Sequence, residues 1–166
     1  MGAVHDCLTN IPYEHIIILA NTDEYGGGGI YNLYTLTTAG HKQFRPVVVH
    51  EFGHSFGGLA DEYFYGNDDP MENLFPDGTE PWEQNITTLT DFDAKWADMI
   101  PASVPQPTPP SMAAECPVGL YEGGGYRTYG VYRPAADCRM RTNTSSGFCP
   151  VCVRAIERII DFHLGR

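Results

Sequence analysis

The sequence predicts an α/β (α+β) fold: a small mixed sheet packed on a central helix, then an irregular C-terminal lobe and a terminal helix. Three observations support this class. A strand-sized apolar run occupies residues 16–20, a helical segment begins near Phe44 and stops at Gly57, and apolar residues repeat at helical spacing near the C-terminus. The 18 glycines and 13 prolines indicate many turns and irregular loops between these elements.

Two strands of one sheet are predicted within YEHIIILANTDEYGGGGIYNLYTLTTAG. The apolar run forms the first strand, and the Tyr- and Thr-rich run after the glycines forms the second. The four glycines Gly26–Gly29 are interpreted as the turn between them.

The next segment predicts a bounded helix of about three turns from about Phe44 to Gly57. Pro46 lies near its start, where proline is tolerated, and Gly57 and Gly58 follow its last turn, where glycine is favoured. This helix carries His50 and His54, which lie four residues apart.

The second half of the chain reads as irregular apart from two helices. The stretch TDFDAKWADMI predicts a short packing helix after a Thr90 or Asp91 cap, and its apolar face would hold Phe92, Trp96, Met99 and Ile100. PASVPQPTPPS predicts extended chain, and YEGGGYRTYGVYRP predicts a loop rich in glycine and tyrosine. A terminal helix is predicted from about Pro150 to Leu164, and its docked face would hold Cys152, Ile156, Ile159, Ile160 and His163.

Length and charge limit the classes of partner. The 166 residues are expected to form one domain, 1–166, and we expect a monomer. The formal net charge of −11 argues against nucleic acid and anionic membranes, because both would be repelled. The longest apolar run is strand-sized, so no membrane span is expected.

The N-terminal sequence and the cysteines bear on location. The opening MGAVHDCL lacks the basic and apolar regions of a secretory signal, so either the protein is cytosolic or an export signal lies outside this sequence and the domain is truncated at its N-terminus. Five cysteines are many for a cytosolic enzyme of this size. We therefore expect an extracellular, cell-surface or periplasmic protein.

The stretch HEFGHSFGGLADEY predicts a catalytic zinc (Zn²⁺) site. On a helix, His50 and His54 project from the same face and can both ligate one ion. Glu51 lies beside the open coordination position, where it can take a proton from water and later deliver it to a leaving amine. The residues therefore predict hydrolysis with Glu51 as general base and acid.

A third ligand is expected just after the helix. The metzincin pattern H-E-x-x-H-x-x-G-x-x-H would use position 60, but Ala60 cannot ligate, and Asp61 follows it. The doubled glycine supplies the flexibility that one extra residue of loop requires, so Asp61 is the predicted ligand. Other carboxylates that could take this role, leaving Asp61 to cap or form a salt bridge, are Glu62, Glu72, Glu80 and Glu83.

Met140 is the methionine best placed to lie in a tight turn beneath the metal, which is the second metzincin feature. It lies in the polar, cysteine-flanked stretch DCRMRTNTSSGFCPVC. The alternative is that Met140 simply fills the core.

Four blocks in this order resemble the bacterial IgA-peptidase family of zinc metallopeptidases, a metzincin-like group. These blocks are NTDEYGGGGIYN, HEFGHSFGGLADEY, GLYEGGGYRTYGVYRP and DCRMRTN...FCPVC, and the resemblance extends over about residues 11–162. It implies an exported zinc endopeptidase with a metzincin-like catalytic domain that cleaves secreted or host proteins, including immunoglobulin A. It also implies zinc on His50, His54 and Asp61, catalysis by Glu51, and Met140 in the Met-turn. Only 49 residues precede His50, which is short for a metzincin upper lobe.

The glycine stretch has a hypothetical second role within this resemblance. Gly26, Gly27, Gly28, Gly29 and Ile30 would form the sheet edge over the cleft, where the backbone of a peptide substrate could add as a further strand.

The C-x-x-C of Cys149 and Cys152 allows three interpretations: a redox pair, half of a structural zinc site with Cys116 and Cys138, or part of a disulfide set. We expect a disulfide from Cys138 to one of the C-x-x-C cysteines.

Two functional alternatives to the leading peptidase hypothesis remain at this point. One is a non-catalytic, zinc-stabilised module that binds a peptide or a glycan. The other is a gluzincin-like peptidase whose glutamate ligand lies far downstream. Among the loop tyrosines and arginines, Tyr126, Tyr129, Tyr132, Arg133 and Arg139 could include a donor to the oxyanion, although most are expected to be packing residues.

Overall fold

A computed structural model describes residues 2–66, 74–76 and 78–166, without the side chains of residues 3 and 5. The helices and strands, in chain order, are α1 (Gly2–Leu8), β1 (Ile17–Ala20), β2 (Gly27–Ile30), β3 (Tyr34–Thr38), α2 (Phe44–Ser55), β4 (Tyr121–Gly124), β5 (Arg127–Arg133) and α3 (Pro150–His163). Short 3₁₀ turns occur at Phe92–Ala94, Ala97–Met99 and Pro110–Met112. The α+β class is confirmed; α1 was not predicted.

The first three strands form a mixed sheet in the order β1-β3-β2. β1 is parallel to β3, and β2 is antiparallel to β3, with Gly28 opposite Leu36. The predicted strands β1 and β3 are therefore neighbours. The predicted turn at Gly26–Gly29 is wrong, because Gly27–Ile30 is itself the edge strand β2.

Glycines in β2 allow this strand to lie directly against α2. A Cβ atom at Gly29 would lie 2.2 Å from the backbone oxygen of Glu51, and one at Gly27 would lie 2.5 Å from Oε1 of the same residue. Any side chain at Gly29 would therefore push the strand away from the helix. The sheet and α2 together match the predicted small mixed sheet on a central helix.

The main core lies in the second half of the chain, under α3. Trp96 is fully buried there and donates its indole N–H to the Gly119 oxygen at 2.8 Å. The predicted helix across this region is wrong, because the chain forms the two 3₁₀ turns at Phe92–Ala94 and Ala97–Met99. All the same, its apolar residues do enter or border the core, so the packing role was predicted correctly.

A β-hairpin occupies the predicted Gly- and Tyr-rich loop. β4 pairs antiparallel with β5, and Gly124 lies opposite Arg127. Gly125 and Tyr126 form the two-residue turn with φ of 56° and 67°, the pattern of a type I′ turn. The loop prediction was wrong, because glycines and tyrosines are also common in irregular segments. Only the pairing of β4 with β5 shows that this segment is a hairpin.

The terminal helix agrees with prediction to within one residue. Pro150 occupies its first turn, and Cys152 and Ala155 are buried. The far end of the predicted face is solvent-exposed, since Ile160 has 41% exposure. None of the described helices has the length and apolar character needed to cross a membrane.

Cys138, Cys149 and Cys152 are close together but not bonded. The Sγ atoms of Cys138 and Cys152 lie 3.7 Å apart, compared with about 2.05 Å in a disulfide. All five thiols are free, so the predicted disulfide is not formed.

Candidate metal centre

α2 presents two imidazoles toward one point above its surface. Nε2 of His50 and Nε2 of His54 lie 3.1 Å apart, as expected for residues one helical turn apart on the same face. Both rings are largely buried, with 13% and 17% of their side chains exposed.

Backbone carbonyls fix the orientation of both rings. Nδ1 of His50 donates to the Arg139 oxygen at 2.9 Å, and Nδ1 of His54 donates to the Leu59 oxygen at 2.6 Å. A carbonyl can only accept, so each Nδ1 carries a hydrogen. In the neutral rings both Nε2 atoms are then bare acceptors, which is the tautomer that a metal ligand requires.

The turn after α2 brings Asp61 back to these rings. Gly58 adopts φ of 58° and donates its N–H to the His54 oxygen at 3.1 Å, which ends the helix in a left-handed cap. Oδ1 of Asp61 then lies 3.0 Å from Nε2 of His50 and 3.1 Å from Nε2 of His54. The doubled glycine predicted this return of the chain.

Asp61 is held on its other side by a tyrosine. The Tyr126 hydroxyl donates to Oδ2 of Asp61, and the Tyr63 hydroxyl donates to that of Tyr126 at 3.3 Å. Burial alone would raise the pKa of Asp61, but the hydrogen bonds that His50 and His54 donate when they are protonated outweigh it and hold this pKa below its ordinary range. The carboxylate is therefore the ionised member of the cluster.

Three acceptor atoms thus converge within 3.1 Å of one another. Two bare nitrogens and a carboxylate oxygen repel each other unless a cation or a proton lies among them. A tetrahedral zinc with ligand bonds of about 2.05 Å would separate its donors by roughly 3.3 Å, close to the spacing seen. The donor set of two histidines and a carboxylate therefore fits a divalent metal of the zinc type.

Glu51 lies beside this cluster and does not complete the triangle. Its carboxylate comes within 4.8 Å of the imidazole nitrogens, whereas Asp61 is closer to both. Burial raises the pKa of Glu51, a rise that the adjacent histidines oppose, and the Gly29 N–H donates to its carboxylate. This position suits proton transfer at the metal.

The other acidic candidates with described positions point elsewhere. Oε1 of Glu62 accepts from Asn85 and Cys152 on the far side of the loop. Glu80 accepts from the backbone N–H groups of residues 88, 90 and 91. Glu83 lies near His54, and one of its carboxylate oxygens is buried without a hydrogen-bond partner among the described residues. Glu72 lies outside the described residues.

Met140 lies beneath the helix, under the histidines. It is fully buried, and a Cβ atom at Gly53 would lie 2.4 Å from its sulfur. A backbone hydrogen bond from Arg141 to Cys138 at 2.9 Å closes a tight turn around it. The preceding residue, Arg139, supplies the carbonyl that orients His50.

A cleft passes over the cluster and along β2. One cavity of about 360 Å³ is lined by Gly27, Gly28 and Gly29 together with the histidines, Glu51 and Asp61. An adjacent cavity of about 530 Å³ is largely apolar, and its walls include Tyr31, Leu59, Phe75, Pro76 and Trp82. The glycine stretch therefore forms the edge of the sheet beside the cluster, as the hypothesis of a substrate edge strand requires.

Sequence reasoning missed one functional residue and left another undecided. Of the suggested tyrosines and arginines, Tyr126 contacts the cluster through its hydroxyl and Arg139 through its backbone oxygen, while Tyr129 is 69% exposed and Arg133 donates to the Glu122 oxygen at 2.6 Å. Asn85 has no predicted role, yet it is fully buried and its side chain bonds both backbone groups of Ala60. Its sequence position gives no signal of this role.

An α+β fold with imidazoles and a carboxylate converging in a cleft defines a candidate metal-dependent hydrolase. The chain matches the family described as IgA Peptidase M64 over residues 3–117 and 111–160, and it belongs to that family. This is a family of metal-dependent peptidases. The comparison with curated proteins gives no match.

Proposed function

We propose that the protein is a zinc-dependent endopeptidase whose metal is held by His50, His54 and Asp61. The observation that carries this proposal is the convergence of two bare Nε2 atoms and Oδ1 of Asp61 within 3.1 Å. Membership of a peptidase family supports it independently.

Zinc, when bound, supplies Lewis acidity toward a carbonyl and lowers the pKa of water to about 7. Glu51 accepts the proton of the attacking water and later returns it to the leaving amine. The raised pKa of Glu51 favours this cycle, because it brings the carboxyl closer to neutral pH, where one group can serve both as base and as acid. Asp61 remains ionised and oriented by Tyr126.

We further propose a metzincin-like arrangement. The short return loop to Asp61 and the tight turn around Met140 support this class over a gluzincin with a distant glutamate ligand. Met140 would serve as the Met-turn residue, because it packs on Gly53 between the two histidines.

The substrate would bind as an extended chain along β2. The outer edge of Gly27–Ile30 pairs with no other strand in the described part of the chain, and it adjoins the metal cluster. The adjacent apolar cavity would receive an apolar side chain of the substrate. We propose secreted or host proteins, including immunoglobulin A, as substrates of a monomeric enzyme that is extracellular, on the cell surface or periplasmic, with residues 1–166 as one catalytic domain.

Metal analysis combined with one substitution tests this function. Glu51→Gln should keep the zinc on His50, His54 and Asp61 while losing proteolysis of a panel of secreted proteins, and Glu115→Gln, on the exposed surface, should keep both. Full activity in Glu51→Gln would exclude the assigned role. A zinc-loaded wild type that cleaves nothing would instead favour the binding-module alternative.

A further inference from the structure

A second cluster of metal-binding side chains lies on the other side of the Asp61 loop. It contains one carboxylate and three thiols, and their ligand atoms all lie within 4.8 Å of one another. All four residues are buried: Glu62, Cys138, Cys149 and Cys152.

The separations within this cluster match a coordination polyhedron better than a disulfide. Sγ of Cys138 and Sγ of Cys152 lie 3.7 Å apart, and Oε1 of Glu62 lies 3.2 Å from Sγ of Cys152. Around a tetrahedral zinc, two thiolates are separated by roughly 3.8 Å and a thiolate and a carboxylate oxygen by roughly 3.5 Å. A C-x-x-C pair is also a usual ligand spacing for structural zinc.

Two N–H groups donate to ligand atoms of this cluster. The Cys149 N–H donates to Sγ of Cys138 at 3.2 Å, and Nδ2 of Asn85 donates to Oε1 of Glu62 at 2.9 Å. The second oxygen of Glu62 is buried and has no hydrogen-bond partner among the described residues. The Nη1 atom of nearby Arg133 is engaged by the Glu122 and Gly123 carbonyls. A buried carboxylate of this kind must be neutralised by a proton or by a cation, and the adjacent thiols make a metal ion the cation that fits.

We propose that Glu62, Cys138, Cys149 and Cys152 form a second, structural site for a divalent zinc-type ion. A thiolate-rich donor set that is closed to solvent by burial selects such a metal and leaves no position for substrate. A disulfide between two of the cysteines would leave the second oxygen of the Glu62 carboxylate without a partner among the described residues. Cys116, which the sequence suggested as a ligand, is not part of the cluster, and Glu62 takes its place.

This ion would join the three segments that position the catalytic site. Glu62 follows Asp61, Cys138 begins the Met140 turn, and Cys149 and Cys152 begin α3. A hydrogen bond from the Glu62 N–H to the Met140 oxygen at 2.8 Å already links the first two segments. The site would therefore fix the position of Asp61 without contacting substrate.

Counting metals in the wild type and in a double variant tests the proposal. The full chain, purified with a thiol reductant, should hold about two zinc ions when both sites are formed. The variant His50→Ala/His54→Ala should keep one, and after exchange with cobalt(II) it should show a thiolate-to-cobalt charge-transfer band. No bound metal in that variant, or bound cobalt without the band, would overturn the proposal.

Cysteine variants locate the second ion. Cys149→Ser with Cys152→Ser should lose one zinc and the thiolate band, whereas Cys116→Ser, which alters a buried thiol of the same core outside the cluster, should lose neither. If the double cysteine variant fails to fold, peptide mapping of the wild type without reductant decides the question. A disulfide within the cluster would contradict the proposal. Three cysteines that form no disulfide, and whose thiols become reactive together when a chelator removes the metal, would support it.

The experiment separates this proposal from the proposed function. One bound cobalt with a thiolate band in the wild type would support the second site and reject the catalytic one. One bound cobalt without the band would support the catalytic site and reject the second one.

Discussion

Asp61 and Glu62 are adjacent in the chain, and their carboxylates face opposite sides of one loop. Oδ1 of Asp61 lies 3.0 Å from Nε2 of His50, while Oε1 of Glu62 lies 3.2 Å from Sγ of Cys152. Backbone hydrogen bonds hold the loop on both sides. The backbone oxygen of Asp61 accepts from the Gly125 N–H, and the Glu62 N–H donates to the backbone oxygen of Met140, each at 2.8 Å. The backbone therefore fixes which carboxylate meets the imidazoles.

Asp61→Ala should lower zinc affinity by more than about 100-fold, because it removes a direct ligand and second-layer partners alone contribute about 10- to 100-fold. The measurement is competition between the protein and a chelator for the zinc that is bound by His50 and His54. Glu83→Gln is the matched control, since Glu83 is an acidic residue near His54 whereas Asp61 is the one that contacts both imidazoles. The gluzincin-like alternative predicts the opposite pattern, with metal lost from a distant glutamate variant and kept in Asp61→Ala.

Tyr126→Phe should weaken zinc binding by about 10- to 100-fold and leave the fold intact. The substitution removes the hydroxyl that donates to Oδ2 of Asp61, so the ligand loses its orientation. Tyr129→Phe, in the same hairpin but 69% exposed, should leave zinc affinity unchanged. Equal affinities in the two variants would show that this hydroxyl does not position Asp61.

The positions of proline and glycine in the sequence predicted the bounds of the two long helices. The bounds of α2 follow from Pro46 and from the glycines after Ser55, and α3 begins at Pro150. The return of Asp61 toward the histidines was also predictable, because Gly58 permits the left-handed turn that this return requires.

Features that depend on distant packing were not predictable in the same way. Glycine is disfavoured in strands, so β2 was read as a turn, and only its contact with α2 explains its glycines. The region around Trp96 has helical spacing but forms 3₁₀ turns, where the indole donates to the Gly119 oxygen. Glu62 has no spacing relationship to Cys138, so only the fold could bring them together.

Gly29→Ala should reduce both stability and peptidase activity. Its Cβ would lie 2.2 Å from the Glu51 oxygen and 2.7 Å from Cβ of His54, so β2 must move away from α2. The strain of such overpacking is about 1–3 kcal/mol, measurable by urea denaturation. Gly28→Ala is the neighbouring control, because a Cβ there meets nothing within 4 Å, and it should retain wild-type stability and zinc content. Equal stability in the two variants would contradict this packing of β2 on α2.

Gly53 and Met140 should be energetically coupled, because the methionine occupies the space that a side chain at Gly53 would need. Gly53→Ala alone gains up to about 1 kcal/mol of helix propensity but overpacks against the Met140 sulfur at about 1–3 kcal/mol. Met140→Ala alone leaves a cavity and should lower the free energy of unfolding by about 2–5 kcal/mol.

The double variant should be more stable than the sum of the two single effects predicts, by about 0.5–3 kcal/mol. The new methyl group would then enter the space vacated by Met140 and keep its helix propensity. Urea denaturation of the four proteins gives the coupling directly. The control is Met112→Ala, because Met112 also packs against the core. Its effect on the free energy of unfolding should add to that of Gly53→Ala within about 0.5 kcal/mol. If the effects of Gly53→Ala and Met140→Ala were also additive, Met140 would not support α2 beneath the histidines.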